Sequence, residues 1–128
     1  MGAFYTNCRI STHADRTKVR EVRNLLVDSG SEFSWIDEGT LNELGITKEE
    51  KSWTFVMANG THVIRSVGFA IIEVEGVTTT DEIVFAQPGD LQLLGSRTLE
   101  GLNLRIDPYA KKLVAGGPIL AALSRARK

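Results

Sequence analysis

Two turns centred on glycine, each flanked by extended runs of residues, constrain the fold of this chain more than any other feature. The first is Asn59-Gly60 within residues 52–68, and the second is Glu75-Gly76 within residues 69–86. Gly adopts positive φ without steric cost, which is what a tight reversal between antiparallel strands requires. The two stretches therefore predict two successive β-hairpins.

The other segments predict more short strands and one or two short helices. Apolar residues at 25–27 indicate that one of these strands is buried. Thr40 and Glu43 are spaced as a helix capping box, and Gly45 is a suitable helix stop. The predicted strands cover residues 3–10, 19–27, 91–94 and both arms of 103–115, and the predicted helices lie within 37–46 and at 96–102.

Length and composition fit one soluble domain. The 128 residues are 42% hydrophobic and 24% charged, with a net charge of −1, so nothing global points to nucleic acid or to a membrane span. A single cysteine, Cys8, excludes an internal disulfide, and the first ten residues do not resemble a secretory signal. We expect a cytoplasmic protein with a domain at residues 1–117 and a basic helical tail at 118–128.

An acidic residue stands where the apolar pattern predicts burial. Residues 25–36 read LLVDSGSEFSWI, so Asp28 follows a buried strand and precedes a second apolar stretch. An ionised carboxylate is costly to bury unless it is paired or loses its charge. Asp, Ser and Gly are also common turn formers, and an ordinary turn is the alternative interpretation of Asp28-Ser29-Gly30. The apolar flanks favour a functional carboxylate over an exposed turn.

A second motif follows about 65 residues later. Leu93-Leu94-Gly95 ends a short apolar strand directly before the predicted helix at 96–102. Glycine in this position is typical of a place where another stretch of backbone passes close by. An ordinary strand-to-helix turn would have the same local pattern.

The order of these motifs resembles the single-domain, retroviral-type aspartic proteases, especially their bacterial relatives. The resemblance covers roughly residues 20–115 and rests on LLVDSGSEFSWI, MANGTHVIRSVG and LQLLGSRTLEGLNLRIDPYAKKLV. It implies an all-β, single-domain, retropepsin-like barrel that hydrolyses peptide bonds without a metal or cofactor. Asp28 would be the catalytic carboxylate, with Ser29 and Gly30 shaping its loop. Because the chain has one such motif, the resemblance implies a homodimer whose active site takes one Asp28 from each subunit.

The resemblance also assigns supporting and substrate-binding roles. The first hairpin would be a flap over a peptide or protein substrate, with Met57, Ala58, Asn59 and Gly60 near its tip. The residues that would support the active-site loop are Ser31, Leu94, Gly95 and Arg97. Arg97 either pairs with Glu32 behind that loop or is solvated.

Two other functions stay open at this level. A catalytically silent dimer of the same fold would bind peptides or partner proteins without cleaving them. Asp-Ser-Gly also begins a phosphorylated degradation signal, but that signal requires an exposed, disordered segment rather than apolar flanks. A metal enzyme is poorly supported, because Cys8, His13 and His62 have no recognisable ligand spacing.

Overall fold

The computed structural model describes residues 3–121, which form nine strands and two short helices. In chain order these are β1 (Tyr5–Ser11), β2 (Val19–Val27), β3 (Ser34–Asp37), α1 (Glu38–Glu43), β4 (Ser52–Val56), β5 (His62–Val74), β6 (Val77–Ala86), β7 (Leu93–Leu94), α2 (Ser96–Leu102), β8 (Leu104–Asp107) and β9 (Lys112–Ala115). The expected all-β domain with one or two short helices is confirmed.

Seven of the strands form one strongly curved sheet. Their order is β1-β2-β7-β3-β6-β5-β4, and β1 also pairs with β5. This additional pairing closes six strands into a barrel and leaves β4 as an edge strand on β5. Strands β8 and β9 form a separate antiparallel pair.

Both predicted hairpins are present, and they share a strand. Strand β5 pairs with β4 along the first hairpin and with β6 along the second. At the second turn Glu75 and Gly76 have φ values of 53° and 78°, and Val74 faces Val77 across it. Two positive φ values match the twist that a two-residue hairpin turn requires.

The first helix begins differently from the sequence prediction. The carboxylate of Asp37 accepts a hydrogen bond from the Thr40 N–H at 3.2 Å, so Asp37 is the N-cap of α1 and Thr40 lies inside the helix. The predicted Thr40–Glu43 capping box is therefore wrong. Asp37 takes the position because it ends β3 and its short carboxylate reaches the free N–H groups of the first turn. The helix ends at Glu43, and its C-cap residue Leu44 directly precedes Gly45, the expected helix stop.

The end of the described chain has no regular structure. Residues 116–121 are neither helix nor strand, and the predicted helical tail otherwise lies outside the described residues. Within residues 3–121, neither helix is long and apolar enough to cross a membrane.

The buried residues form two clusters. The larger one fills the barrel, and the side chains of Ile10, Leu25 and Phe85 in it have no exposed surface. The smaller one includes Phe33, Trp35 and Leu93 and lies beneath the β4–β5 hairpin. The second cluster connects the hairpin to the loop that carries Asp28.

Candidate active site

Asp28 follows the last residue of β2, and its backbone and side chain are both held. Its N–H donates to the Leu94 carbonyl at 3.0 Å, which continues the pairing of β2 with β7. Its Oδ1 accepts from the Gly30 N–H at 3.0 Å, and its Oδ2 accepts from the Ser31 hydroxyl at 3.2 Å. Because each oxygen accepts a hydrogen bond, the orientation of the carboxylate is fixed.

The strand β7 and the start of α2 support this loop from behind. The Ser96 N–H donates to the Ser31 carbonyl at 2.7 Å, and the Arg97 N–H donates to the Glu32 carbonyl at 3.0 Å. Gly95 directly precedes Ser96, and it lies so close to Phe33 that a Cβ on residue 95 would be 2.4 Å from the Phe33 carbonyl oxygen. The close backbone approach expected at Leu94-Gly95 is therefore present.

A buried chain of hydrogen bonds fixes Gly95 in turn. Its N–H donates to the Ser34 hydroxyl at 2.9 Å, and the hydroxyls of Ser34 and Thr98 are 2.5 Å apart. The Thr98 hydroxyl donates to Asp81 at 2.8 Å. Ser34 and Thr98 have no exposed surface, so water cannot reach their hydroxyls. The hydrogen bonds within the protein satisfy these buried polar groups instead. The sequence analysis did not identify this chain.

Asp28 faces a cavity of about 660 Å³ between the barrel and the β4–β5 hairpin. Of the residues assigned by the resemblance, the cavity brings together Asp28, Gly30, Ser31, Met57, Ala58 and Arg97. Asn59 and Gly60 are exposed at the hairpin tip, and Leu94 and Gly95 are buried beneath the loop. Ser29 is exposed beside Asp28.

Aromatic side chains form the floor of the cavity. The ring centroid of Phe55 is 5.5 Å from that of Phe33 and 4.9 Å from that of Trp35, with the rings edge to face in both pairs. These arrangements stabilise beyond the apolar area that they bury. The aromatic residues therefore fix where strand β4 lies above the barrel.

Charged residues surround one side of this floor. Arg97 lies over the Phe33 ring at 4.4 Å, and its guanidinium is 3.7 Å from the Glu32 carboxylate. Arg97 therefore lies near Glu32, as the first interpretation expected. Its side chain is also 44% exposed, so it is partly solvated, as the second expected. Arg97 is also 3.8 Å from Glu82, which binds Lys51 at 2.8 Å and accepts from the Trp53 indole N–H at 3.4 Å.

Two carboxylates near the cavity are held in the ionised form. Burial acts to raise the pKa of Glu82, but hydrogen bonds from Lys51 and Trp53 outweigh it and hold this pKa below its ordinary value. Hydrogen bonds from Arg65 hold the pKa of Asp90 below its ordinary value, against the opposing effect of burial. Both groups therefore stabilise the fold above their unfolded pKa values of about 4.

We expect the free energy of unfolding to fall as the pH drops below about 4, since the unfolded chain then binds protons that Glu82 and Asp90 resist in the fold. Glu82→Gln should reduce the slope in this range by up to about 1.4 kcal/mol per pH unit, the contribution of one proton. Urea denaturation at several pH values between 3 and 7 measures both slopes. Equal slopes in the two proteins would contradict the prediction.

A turn on the far side of the cavity was also not anticipated as part of the site. Residues 87–90 form it, with the Asp90 N–H donating to the Gln87 carbonyl at 2.9 Å, and residues 89–91 line the cavity. The sequence QPGD is typical of a loop. Nothing in the local pattern indicated that this loop would face Asp28.

Comparison with known proteins finds similarity among solved structures. No protein-family model matches the sequence, and no curated protein matches it. The fold is similar to the crystal structure of the retroviral protease-like domain of Ddi1 from Leishmania major, with a TM-score of 0.54 and 16% sequence identity. The match covers 90% of this chain and 89% of that one. The chain therefore has the retropepsin-like fold of the retroviral protease-like domains.

Proposed function

We propose that this chain is one subunit of a homodimeric aspartic endopeptidase, with Asp28 of each subunit forming the catalytic pair. The observation that carries the proposal is the position of Asp28. Its carboxylate follows a buried strand, receives hydrogen bonds from Gly30 and Ser31, and faces a cavity large enough for peptide side chains.

The chemistry needs two carboxylates that share one proton. The ionised carboxylate takes a proton from a water molecule whose oxygen attacks the scissile carbonyl carbon, and the protonated one donates to the carbonyl oxygen. Transfer of a proton to the amide nitrogen then allows the C–N bond to break. Two carboxyl groups about 3 Å apart cannot both ionise, which keeps the pair in the required single-proton state.

The second carboxylate has to come from another copy of the chain. Glu32 and Asp90 also line the cavity, but Glu32 pairs with the Arg97 guanidinium at 3.7 Å and both oxygens of Asp90 accept hydrogen bonds from Arg65. Ser29 and Gly30 are exposed in the single chain, which leaves this loop accessible to a symmetric partner. A monomer is then inactive.

The β4–β5 hairpin serves as the flap in this proposal. Its tip is ordered by the Met57 N–H donating to the Thr61 carbonyl and the Gly60 N–H donating to the Met57 carbonyl, both at 2.8 Å. Closing over an extended peptide would exclude water from the reacting bond. A cytoplasmic location stays a prediction from the sequence.

The test is cleavage of a peptide library from pH 3 to 7 at several protein concentrations, with wild type and Asp28→Asn compared. Activity that disappears in the variant and rises faster than linearly with dilute protein supports a shared carboxylate site. A folded dimer that cleaves no peptide would instead favour the silent binding module. A folded monomer without activity would contradict the proposal.

Ser31 provides a test of how the active-site loop orients the carboxylate. Its hydroxyl donates to Asp28 Oδ2 at 3.2 Å, which restricts rotation of the carboxylate. We therefore expect Ser31→Ala to lower kcat about tenfold and to change KM little, because the reacting carboxylate is then less well oriented. Both constants are measured with a cleaved peptide, and an unchanged kcat would contradict this role.

A further inference from the structure

We propose that Arg65 and Asp90 form a brace that holds the flap hairpin to the cavity-side turn and so sets the width of the cleft between them. Arg65 lies on β5, opposite Trp53 in the hairpin register. Asp90 ends the turn at residues 87–90. Asp90 lines the cavity, but both of its oxygens accept hydrogen bonds from Arg65, so the pair acts by positioning the cavity walls.

Arg65 and Asp90 form a bidentate ion pair. Arg65 Nε donates to Asp90 Oδ2 at 2.7 Å, and Nη2 donates to Oδ1 at 2.9 Å. This two-bond arrangement fixes orientation as well as distance, which a single contact would not do. The side chains of Arg65 and Asp90 are only 17% and 8% exposed, so solvent screens their attraction weakly.

The remaining polar atoms of the pair are also engaged. Arg65 Nη1 donates to the Ile64 carbonyl at 3.0 Å, and Asp90 Oδ2 accepts from the Gln87 N–H at 2.8 Å. Each of the three guanidinium nitrogens of Arg65 therefore donates a hydrogen bond. Such a fully bonded group suits a structural brace rather than a binding site for a substrate anion.

The brace joins the two sides of the cleft beyond the end of their strand pairing. Strand β5 pairs with β6 as far as Val67 opposite Val84, so this pairing stops before residues 62–66 of the hairpin and the turn at 87–90. Met57 and Ala58 line the cavity from the hairpin, whereas Gly89, Asp90 and Leu91 line it from the turn. The hydrogen bonds between Arg65 and Asp90 connect the hairpin to the turn in this region.

The turn is also close in sequence to the support of Asp28. Leu94, four residues after Asp90, provides the carbonyl that binds the Asp28 N–H. The brace therefore links the flap, through a short segment of chain, to the strand that positions the carboxylate. We expect loss of the brace to widen the cleft and weaken substrate binding while leaving the Asp28 chemistry intact.

Hydrogen exchange tests the brace without any assay of activity. Asp90→Asn retains the shape of the side chain but removes its charge, and should increase exchange about tenfold at residues 52–66 and 87–91, as expected when local opening becomes easier. Amides of β1 and β2 should change little. Arg65→Lys retains the charge but loses the two-bond geometry, and it carries the same test if Asp90→Asn does not fold.

The matched control is Lys48→Gln, which breaks the more exposed Lys48–Glu38 pair outside the cavity. This control should leave exchange at residues 52–66 unchanged. An Asp90→Asn or Arg65→Lys protein with unchanged hairpin exchange would overturn the brace. So would exchange raised evenly over the whole chain, because that pattern indicates general destabilisation.

The effect on peptides rests on the proposed function and has its own measurement. With a cleaved peptide, Asp90→Asn and Arg65→Lys should raise KM about fivefold and change kcat less than about twofold, the signature of lost binding rather than lost chemistry. A fall in kcat at constant KM would overturn the role in cleft width. If wild type cleaves nothing but the hairpin exchange rises locally, the brace stands and the proposed activity fails.

Discussion

Asp28→Asn is expected to lower kcat/KM for any cleaved peptide by about a thousandfold or more, while the fold and the proposed dimer persist. An amide cannot take a proton from the attacking water, and it cannot share the single proton that the carboxyl pair requires. Asn occupies nearly the same volume, and its single oxygen still accepts one of the two hydrogen bonds that Gly30 and Ser31 donate to the carboxylate. The loss is therefore one of chemistry rather than of packing.

A suitable control changes a similar residue outside the cavity. Asp37→Asn keeps a good N-cap on α1, because Asn and Asp are equivalent in that position, so activity should be unchanged. Circular dichroism and sedimentation establish whether each variant is folded and dimeric. Activity retained by a folded Asp28→Asn dimer would exclude Asp28 as the catalytic carboxylate.

Mixing the variant with wild type separates a shared site from two independent ones. If subunits exchange freely in an equal mixture, only about one quarter of the dimers carry two Asp28 residues. Activity should therefore be about a quarter of that of wild type at the same total protein concentration. Independent sites would leave about one half. The activity of the mixture therefore tests the shared carboxylate pair directly.

The sequence predicted those features that are encoded locally. The β2 strand ending before Asp28, both hairpin turns and the helix at residues 96–102 follow from apolar periodicity and glycine placement over a few residues. The Thr40 cap failed because two capping residues three positions apart compete for the same free N–H groups. Local pattern alone does not decide which of them ends the preceding strand.

The parts of the site that were missed are contacts between residues far apart in sequence. Arg65 and Asp90 are separated by 25 positions, and Ser34 and Thr98 by 64. Arg65 and Asp90 meet just beyond the end of the antiparallel β5–β6 pairing, and Ser34 meets Thr98 because β7, which leads into α2, pairs with β3. These contacts depend on how the strands pair in the folded chain, so no short sequence motif predicts them.

Gly95→Ala is expected to reduce the free energy of unfolding by about 3 kcal/mol, at the upper end of the cost of overpacking. The φ of Gly95 is −97°, which any residue adopts, so conformational freedom is not the reason for glycine here. The reason is space, since an added Cβ would lie 2.4 Å from the Phe33 oxygen and 2.8 Å from the Glu32 oxygen. Both are backbone atoms, which cannot rotate away.

Gly45→Ala is the matched control, because it tests backbone conformation without crowding. Gly45 has a φ of 78° and no heavy atom within 4 Å of an added Cβ, so its replacement should cost only about 1 kcal/mol. Urea denaturation of the two variants compares these costs. Equal losses in the free energy of unfolding would contradict the prediction, because they would show that the backbone behind Asp28 accommodates the added methyl group without strain.

The position of Gly95 also predicts which part of the structure the Gly95→Ala substitution disturbs. Relieving the contact has to move Glu32 and Phe33 away from α2, and the bonds from Ser96 to Ser31 and from Arg97 to Glu32 lengthen with that movement. Since Ser31 also donates to Asp28, the carboxylate loses its orientation in the molecules that remain folded. Gly95→Ala should therefore lower kcat in the folded fraction, whereas Gly45→Ala should lower only stability.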